Sequence, residues 1–172
     1  MNASAWRQFG IRLRLLTPAA LTLFAVFVSV VPVGLSGLPE VTPFFTLIAV
    51  YHWSIYRPEL LPAPAVFVLG LVQDGLSGGP LGMFAFILVI VYGMVSMQRR
   101  TFLGKTFLVE WFGFSLVVVG ATLAGWLIAC IYYVTLVDPW PVALQGCLTL
   151  ATYPCIVWVF ARVARTALRT AQ

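Results

Sequence analysis

The chain alternates long runs of uncharged, mostly apolar residues with short segments that hold the charges and many of the glycines and prolines. An α-helix needs about 20 consecutive apolar residues to cross the hydrocarbon core of a bilayer. Six runs reach this length or come close to it, so the pattern predicts an all-α bundle of six transmembrane helices. The predicted spans cover residues 15–34, 41–56, 60–78, 80–98, 109–137 and 139–161.

The second run, residues 41–56, reaches span length only with its flanks. It ends in an aromatic group formed by Tyr51, His52, Trp53 and Tyr56. Aromatic side chains with a polar tip are enriched at the headgroup level of a membrane. We therefore expect this group to lie at a membrane interface.

The third run is interrupted by an acid. Residues 60–73 are uncharged but too few to cross, so the third helix must continue through Asp74. Pro62 and Pro64 suit the first turn of this helix, where a missing amide donor does no harm. Pro80 can open the fourth helix in the same way. The segment between Asp74 and the fourth helix is therefore predicted to be a tight, glycine-rich turn.

The ten Lys and Arg residues indicate the orientation of the bundle. Cytoplasmic segments of membrane proteins carry an excess of these residues. With a cytoplasmic N-terminus, all ten fall on the inner side, so we predict that both termini are cytoplasmic. The inner segments are 1–14, 57–61, 99–105 and 162–172, with three, one, three and three basic residues. Each outer turn carries one acid instead, and these acids are Glu40, Asp74 and Asp138.

Composition agrees with a membrane protein. Hydrophobic residues make up 62% of the chain and charged residues 9%, with a mean hydropathy of +1.02. Soluble domains carry about 25% charged residues, so a soluble fold could not cover this much apolar surface. The length fits one membrane domain, residues 1–172, with no attached soluble domain. The basic residues form no single patch, so nucleic acid is not an expected partner.

Two features resemble motifs that we do not assign. The first run follows basic residues, as in a signal peptide, but it is much longer than a signal core of about 7–15 residues, so we predict a retained helix.

Cys130, Cys147 and Cys155 lie in apolar runs without CxxC or Cys/His spacing. We interpret them as small buried hydrophobic residues, with an interhelical disulfide as the alternative, and we expect no metal and no cofactor.

The chain offers few groups for catalysis. Hydrolysis inside a membrane usually uses a Ser/His pair, paired aspartates or an HExxH zinc helix. The single histidine, His52, is predicted at the opposite end of the membrane from the outer serines, and no HExxH is present. Coupled transport usually needs ionisable residues deep in several helices, and Asp74 is the one candidate. We predict that the protein is not an enzyme and has no catalytic residue.

The stretch from Arg57 to Gly82 holds the most unusual residues of the chain. We interpret Asp74 as a solvated acid that accepts backbone amides of the turn or of the next helix start, an arrangement that a helix N-terminus favours. Contact with a partner protein is the alternative role. Arg57 with Glu59 is interpreted as a cytoplasmic anchor, with a partner contact again as the alternative.

The glycines of this stretch suggest close helix packing. Gly75-xxx-Gly79 and Gly78-xxx-Gly82 both have the small-xxx-small spacing of helices that approach closely. Gly70 fits the same requirement. We expect a turn and a helix crossing within one chain, and a homodimer face is the alternative.

The same stretch resembles the MreD family, the rod shape-determining membrane proteins of bacteria. The resemblance lies in the order of an aromatic helix end, Arg-Pro, and Gly-x-x-x-Asp-x-x-x-Gly-x-Pro-Leu-Gly, and it is strongest over residues 45–100. A length near 170, six spans and a basic tail are also similar. We interpret the matching residues as a structural or partner-docking motif. They are Trp53, Arg57, Pro58, Gly70, Asp74, Gly78, Pro80 and Gly82.

The resemblance implies a non-enzymatic, multi-pass scaffold of the cell-elongation machinery in the bacterial inner membrane. Proteins of this family bind MreC and act with RodA, a penicillin-binding transpeptidase and MreB in side-wall peptidoglycan synthesis and rod cell shape. Our hypothesis for the mechanism is that the bundle captures the helix of a membrane-anchored partner and tunes the partner's conformation. The third and fourth helices, with the turn between them, would supply this contact or maintain the shape of the contact surface.

A fold similar to the substrate-binding subunits of energy-coupling-factor transporters is also implied. The alternative function is therefore a small-molecule (vitamin) binding subunit of a membrane transporter. A vitamin binder needs polar side chains that converge on an outer cavity. The short outer turns offer few such side chains, so the sequence favours the scaffold.

Overall fold

The computed structural model of the chain describes residues 21–29, 41–102, 104 and 106–169, and within these residues it contains helices and no strands. The all-α prediction is confirmed for this part of the chain, with one helix in each predicted segment. The helices are α1 (described over residues 21–29), α2 (Phe45–Tyr56), α3 (Ala63–Ser77), α4 (Met83–Phe102), α5 (Phe107–Tyr133) and α6 (Pro139–Arg169). A 3-10 turn at Pro58–Leu60 joins α2 to α3. Arg7, Arg12, Arg14 and the turn with Glu40 lie outside the described residues.

Three of the described helices are long and apolar enough to cross a membrane. The qualifying stretches are Met83–Arg100 of α4, Phe107–Tyr133 of α5 and Pro139–Phe160 of α6. The 27 residues of α5 extend for about 40 Å, beyond a hydrocarbon core of roughly 30 Å. The 15 residues of α3 extend for only about 22 Å. The count of six spans and their orientation remain predictions.

Helix α2 lies in the centre of the bundle, where it packs on α4 and α6. Ten of its 12 residues, Thr46 to Ile55, are buried. Tyr51, His52 and Trp53 are at most 6% exposed and face the neighbouring helices, whereas Tyr56 is 47% exposed. A position of this helix end at the membrane interface stays a prediction. Apolar and aromatic residues suit both lipid and a protein core, so the sequence does not distinguish these two surroundings. In the structure, the neighbouring helices enclose α2.

The other helices pair as two hairpins around α2. Helix α3 packs chiefly on α4, α5 packs on α6, and α4 joins the two pairs through α5. One connected core includes side chains from α1 to α6, with Tyr51, Phe114 and Tyr153 among its largest buried members. The outer helices keep wide apolar faces, since only 17% of the spanning stretch of α5, and likewise of α6, is buried within the protein.

The three cysteines lie on these outer helices. Cys130 is half-buried, Cys147 and Cys155 are exposed, and all three are free thiols. The prediction that they are buried is wrong, because an apolar run in a membrane protein includes the surface that faces lipid. None of the three forms the interhelical disulfide that was the alternative.

Candidate functional site

Asp74 lies in the last turn of α3 and is only 4% exposed. Its carboxylate accepts three backbone amides from the start of α4. Oδ2 accepts the amides of Gly82 at 3.0 Å and Ala85 at 3.1 Å, and Oδ1 accepts the amide of Phe84 at 3.0 Å. One helix thus caps the N-terminus of the next through a side chain, an arrangement that the sequence had suggested.

This geometry explains how an acid can be buried in an apolar bundle. The first amides of a helix have no partner within the helix, and the helix dipole favours a negative charge there. Three charge-assisted hydrogen bonds replace the water that the carboxylate gives up. The expectation that Asp74 is solvated is wrong, because the α4 amides enclose both carboxylate oxygens.

Gly70 marks the closest approach of α3 and α4. A Cβ at this position would lie 2.3 Å from Cα of Ala85 and 2.8 Å from its Cβ. The contact is with backbone, so no change of rotamer can relieve it. Only glycine fits here without a shift of the helices, and the same approach brings Ala85 within reach of Asp74.

The glycines of the turn serve a different purpose from the predicted one. Gly78 ends α3 with a φ of +69°, and Gly82 precedes α4 with a φ of +93°. L side chains rarely adopt this left-handed region. A Cβ at Gly75, Gly78, Gly79 or Gly82 would meet no atom within 4 Å. The predicted turn within one chain is therefore confirmed, whereas close helix contact at these four glycines is wrong: the close approach occurs at Gly70.

Pro80 lies between the two left-handed glycines. Its carbonyl accepts the amide of Met83 at 3.2 Å. Proline has a φ near −65° in any context, so it limits the conformations of the turn between α3 and α4. The turn, Asp74 and Gly70 together form what we call the α3–α4 corner: Gly70, Asp74, Gly78, Pro80 and Gly82.

The remaining motif residues lie at the other end of α3. Arg57 is exposed, and Pro58 opens the 3-10 turn, with its carbonyl accepting the hydroxyl of Tyr92 at 3.3 Å. Glu59 pairs with Arg99 of α4 at 3.6 Å rather than with Arg57, and both partners are exposed. An exposed pair of this kind contributes about 0–1 kcal/mol to stability.

Trp53 is buried at the same end of the bundle. Its ring centroid lies 6.0 Å from that of Phe160 and 5.5 Å from that of His52. His52 also contacts the ring of Tyr56, with centroids 4.7 Å apart. The motif therefore does not form one site: α3, which extends for about 22 Å, separates the segment with Arg57 and Pro58 from the turn after Ser77.

A second buried carboxylate, not identified from the sequence, joins α2, α5 and α6. Glu110 in the first turn of α5 is 6% exposed. Its Oε2 accepts the hydroxyl of Tyr56 at 3.0 Å and its Oε1 that of Tyr153 at 2.9 Å, while its carbonyl accepts the hydroxyl of Tyr51 at 3.0 Å. The sequence feature that could have indicated this buried acid is that Glu110 is the one charged residue in the 27-residue helix α5.

The carboxylates of Asp74 and Glu110 form their hydrogen bonds with other parts of the same chain. Both buried carboxylates accept hydrogen bonds that join one helix to another. Within the described residues, no three His, Cys, Asp or Glu side chains come together as a metal site would need. The arrangement fixes the relative positions of helices and leaves outer apolar faces for contacts.

Comparison with known proteins finds a family model that matches most of the chain. The model described as rod shape-determining protein MreD matches residues 10–163. This range includes all the described helices except the end of α6. No curated protein and no solved structure matches the chain.

Proposed function

Because the chain belongs to the MreD family of rod shape-determining proteins, we propose that it is a non-enzymatic membrane scaffold of the bacterial cell-elongation machinery. It binds MreC in the inner membrane and helps to regulate side-wall peptidoglycan synthesis. RodA, a penicillin-binding transpeptidase and MreB act in the same assembly. The family match over residues 10–163 is the observation that carries this proposal.

A groove between α4 and α5 is the surface we assign to MreC. It encloses about 290 Å³ and its walls are almost entirely apolar. Ile90 and Met94 of α4 and Leu116 of α5 line it and are 44%, 59% and 71% exposed. Both helices are long enough to span, so an occupant at this depth must also be apolar.

The shape of the groove suits a helix more than a flexible lipid chain. Gly113 and Gly120 line it seven residues apart, on the same face of α5. Small residues on one face let a second helix approach closely inside a membrane. We propose that the membrane-spanning helix of MreC occupies the groove, and that the α3–α4 corner holds α4 in the position that forms one wall.

Co-purification of the detergent-solubilised protein with MreC tests this proposal. Gly120→Phe should fill the groove and lower the recovery of MreC by at least about tenfold, or ~1.4 kcal/mol. Gly75→Phe is the matched control, because Gly75 is exposed, lies outside the groove and has no atom within 4 Å of an added Cβ. It should leave the recovery unchanged.

The outcomes separate the two parts of the proposal. Equal recovery with both variants would remove the groove as the docking site and leave lipid as its occupant. Absence of any association, together with tight binding of a vitamin, would favour the transporter subunit instead. Depletion in a rod-shaped host should give round cells, and cells that kept their rod shape would contradict the elongation role.

A further inference from the structure

Helix α3 has an apolar face that no other described part of the chain covers. Phe67, Val68 and Leu76 are exposed on it, and we call these three residues the α3 face. Gly70 and Asp74, on the other side of the helix, are buried against α4. The groove that we assign to MreC lies between α4 and α5, and no residue of α3 lines it. The proposed function therefore leaves the α3 face unused.

The hairpin of α3 and α4 has polar groups at both of its ends. At one end, Glu59 pairs with Arg99 at 3.6 Å, and both side chains are exposed. At the other end, the exposed Ser77 precedes a turn that begins with Gly78. Charged and polar groups are costly in hydrocarbon, so the part of the hairpin that lipid chains can cover lies between these two ends.

This covered part is shorter than a typical bilayer core. Helix α3 is 15 residues long and extends for about 22 Å. On α4, the stretch from Met83 to Met97 has the same number of residues before the polar segment that begins at Gln98. A typical hydrocarbon core is about 30 Å thick, so the hairpin is about 8 Å too short for it.

The hairpin itself can relieve only part of this mismatch. A helix that is longer than the core can tilt, as α5 with its 27 residues can, but tilt shortens the span of α3 further. Long basic side chains reach towards the headgroups, and Arg99 can do so at one end. At the other end, Gly78, Gly79 and Pro80 have no long side chain. The lipid beside α3 must therefore adapt to the protein.

We propose that phospholipids with short acyl chains cover the α3 face and that the membrane is thinner beside α3 than elsewhere. A short hydrophobic stretch is accommodated by thinning of the bilayer around it, at a cost that grows with the mismatch. Short chains lower this cost, so they are enriched next to α3. Since mismatch sorts proteins among membranes of different thickness, the α3 face would direct the protein to thin regions of the membrane.

Quenching by brominated lipids tests this proposal on the full chain. A fluorescent bimane label is attached to Val68→Cys in a chain whose three native cysteines are replaced by alanine. The vesicles contain equal amounts of dimyristoleoyl and dierucoyl phosphatidylcholine, which have short and long chains, and one or the other carries bromine. The brominated short-chain lipid should quench the label at least about threefold more effectively, because it avoids most of the mismatch.

Leu123→Cys on α5 is the matched control. Leu123 and Val68 are almost equally exposed, at 55% and 56%, and each lies near the middle of its helix. Because α5 extends for about 40 Å and can tilt, the two brominated lipids should quench this label about equally. If the labelled Val68→Cys variant fails to fold, Phe67→Cys places the label on the same face.

Three results would overturn the proposal. Equal quenching of the Val68 label by both lipids would show that chain length does not select the lipid beside α3. An equal short-chain preference at Leu123 would mean that the preference does not belong to the α3 face. Quenching at Leu123 but not at Val68 would mean that a protein surface, such as a second copy of this chain, covers the face. Co-purification with MreC reports separately on the scaffold function.

Discussion

At the scale of single residues, removal of the Asp74 side chain should destabilise the α3–α4 corner. Asp74→Ala leaves the amides of Gly82, Phe84 and Ala85 without their acceptor. Each buried donor left without a partner costs about 1–3 kcal/mol. For a total of about 3 kcal/mol over the three amides, we expect the melting temperature in detergent to fall by about 6–12 °C.

Asp138→Ala is the matched control for this prediction. Asp138 is exposed and accepts one amide, that of Trp140 at 3.1 Å. Its loss should lower the melting temperature by no more than about 2–4 °C, as for roughly 1 kcal/mol. Equal shifts for the two variants would mean that the Asp74 cap does not stabilise the corner.

The two buried acids differ in how far sequence could predict them. Asp74 stood out because it interrupts an apolar run and is followed by glycines and Pro80, which indicate a nearby helix start. Glu110 adjoins a basic segment and fits an ordinary inner turn. Its partners Tyr51, Tyr56 and Tyr153 come from two distant helices, and a sequence pattern does not reveal which phenols meet.

At the scale of helices, Gly70 controls the packing of α3 on α4. Gly70→Ala would place Cβ 2.3 Å from Cα of Ala85, and overpacking of this kind costs about 1–3 kcal/mol. Gly75→Ala, on the same helix but with open space around it, should instead stabilise by about 0.4–1 kcal/mol. Thermal unfolding in detergent should therefore shift in opposite directions, and shifts of the same sign would contradict the close approach at Gly70.

The helices themselves were predictable, and their surroundings were not. Long apolar runs broken by Gly, Pro and charge predict where helices lie, and each described helix falls within or close to its predicted segment. The runs do not distinguish lipid from protein as the neighbour. The enclosed α2 and the exposed Cys147 and Cys155 are the consequence, since the same residue types occupy both environments.

At the scale of the whole molecule, family and fold class could be predicted because they depend on apolar runs and on a motif whose residues lie close together in sequence. The motif between residues 45 and 100 indicated the MreD family, and the match to the family model over residues 10–163 confirms this prediction. The groove, and a second cavity beside the α3–α4 corner, depend on which side chains converge from separate helices. Thr42, Gln73 and Gln145 lie far apart in sequence, so their meeting at one cavity was visible only in the structure.

The orientation in the membrane is the remaining property that the whole chain determines. Because basic residues are retained on the cytoplasmic side, the turn before α5 should be inside and the turn after it outside. Thr106→Cys and Leu136→Cys, both at exposed positions on opposite sides of α5, test this in a chain whose three cysteines are replaced by alanine. A membrane-impermeant maleimide should label Leu136→Cys in intact spheroplasts and Thr106→Cys only after permeabilisation. The reverse pattern would invert the orientation, and equal labelling of both would show that α5, at about 40 Å, does not cross the bilayer.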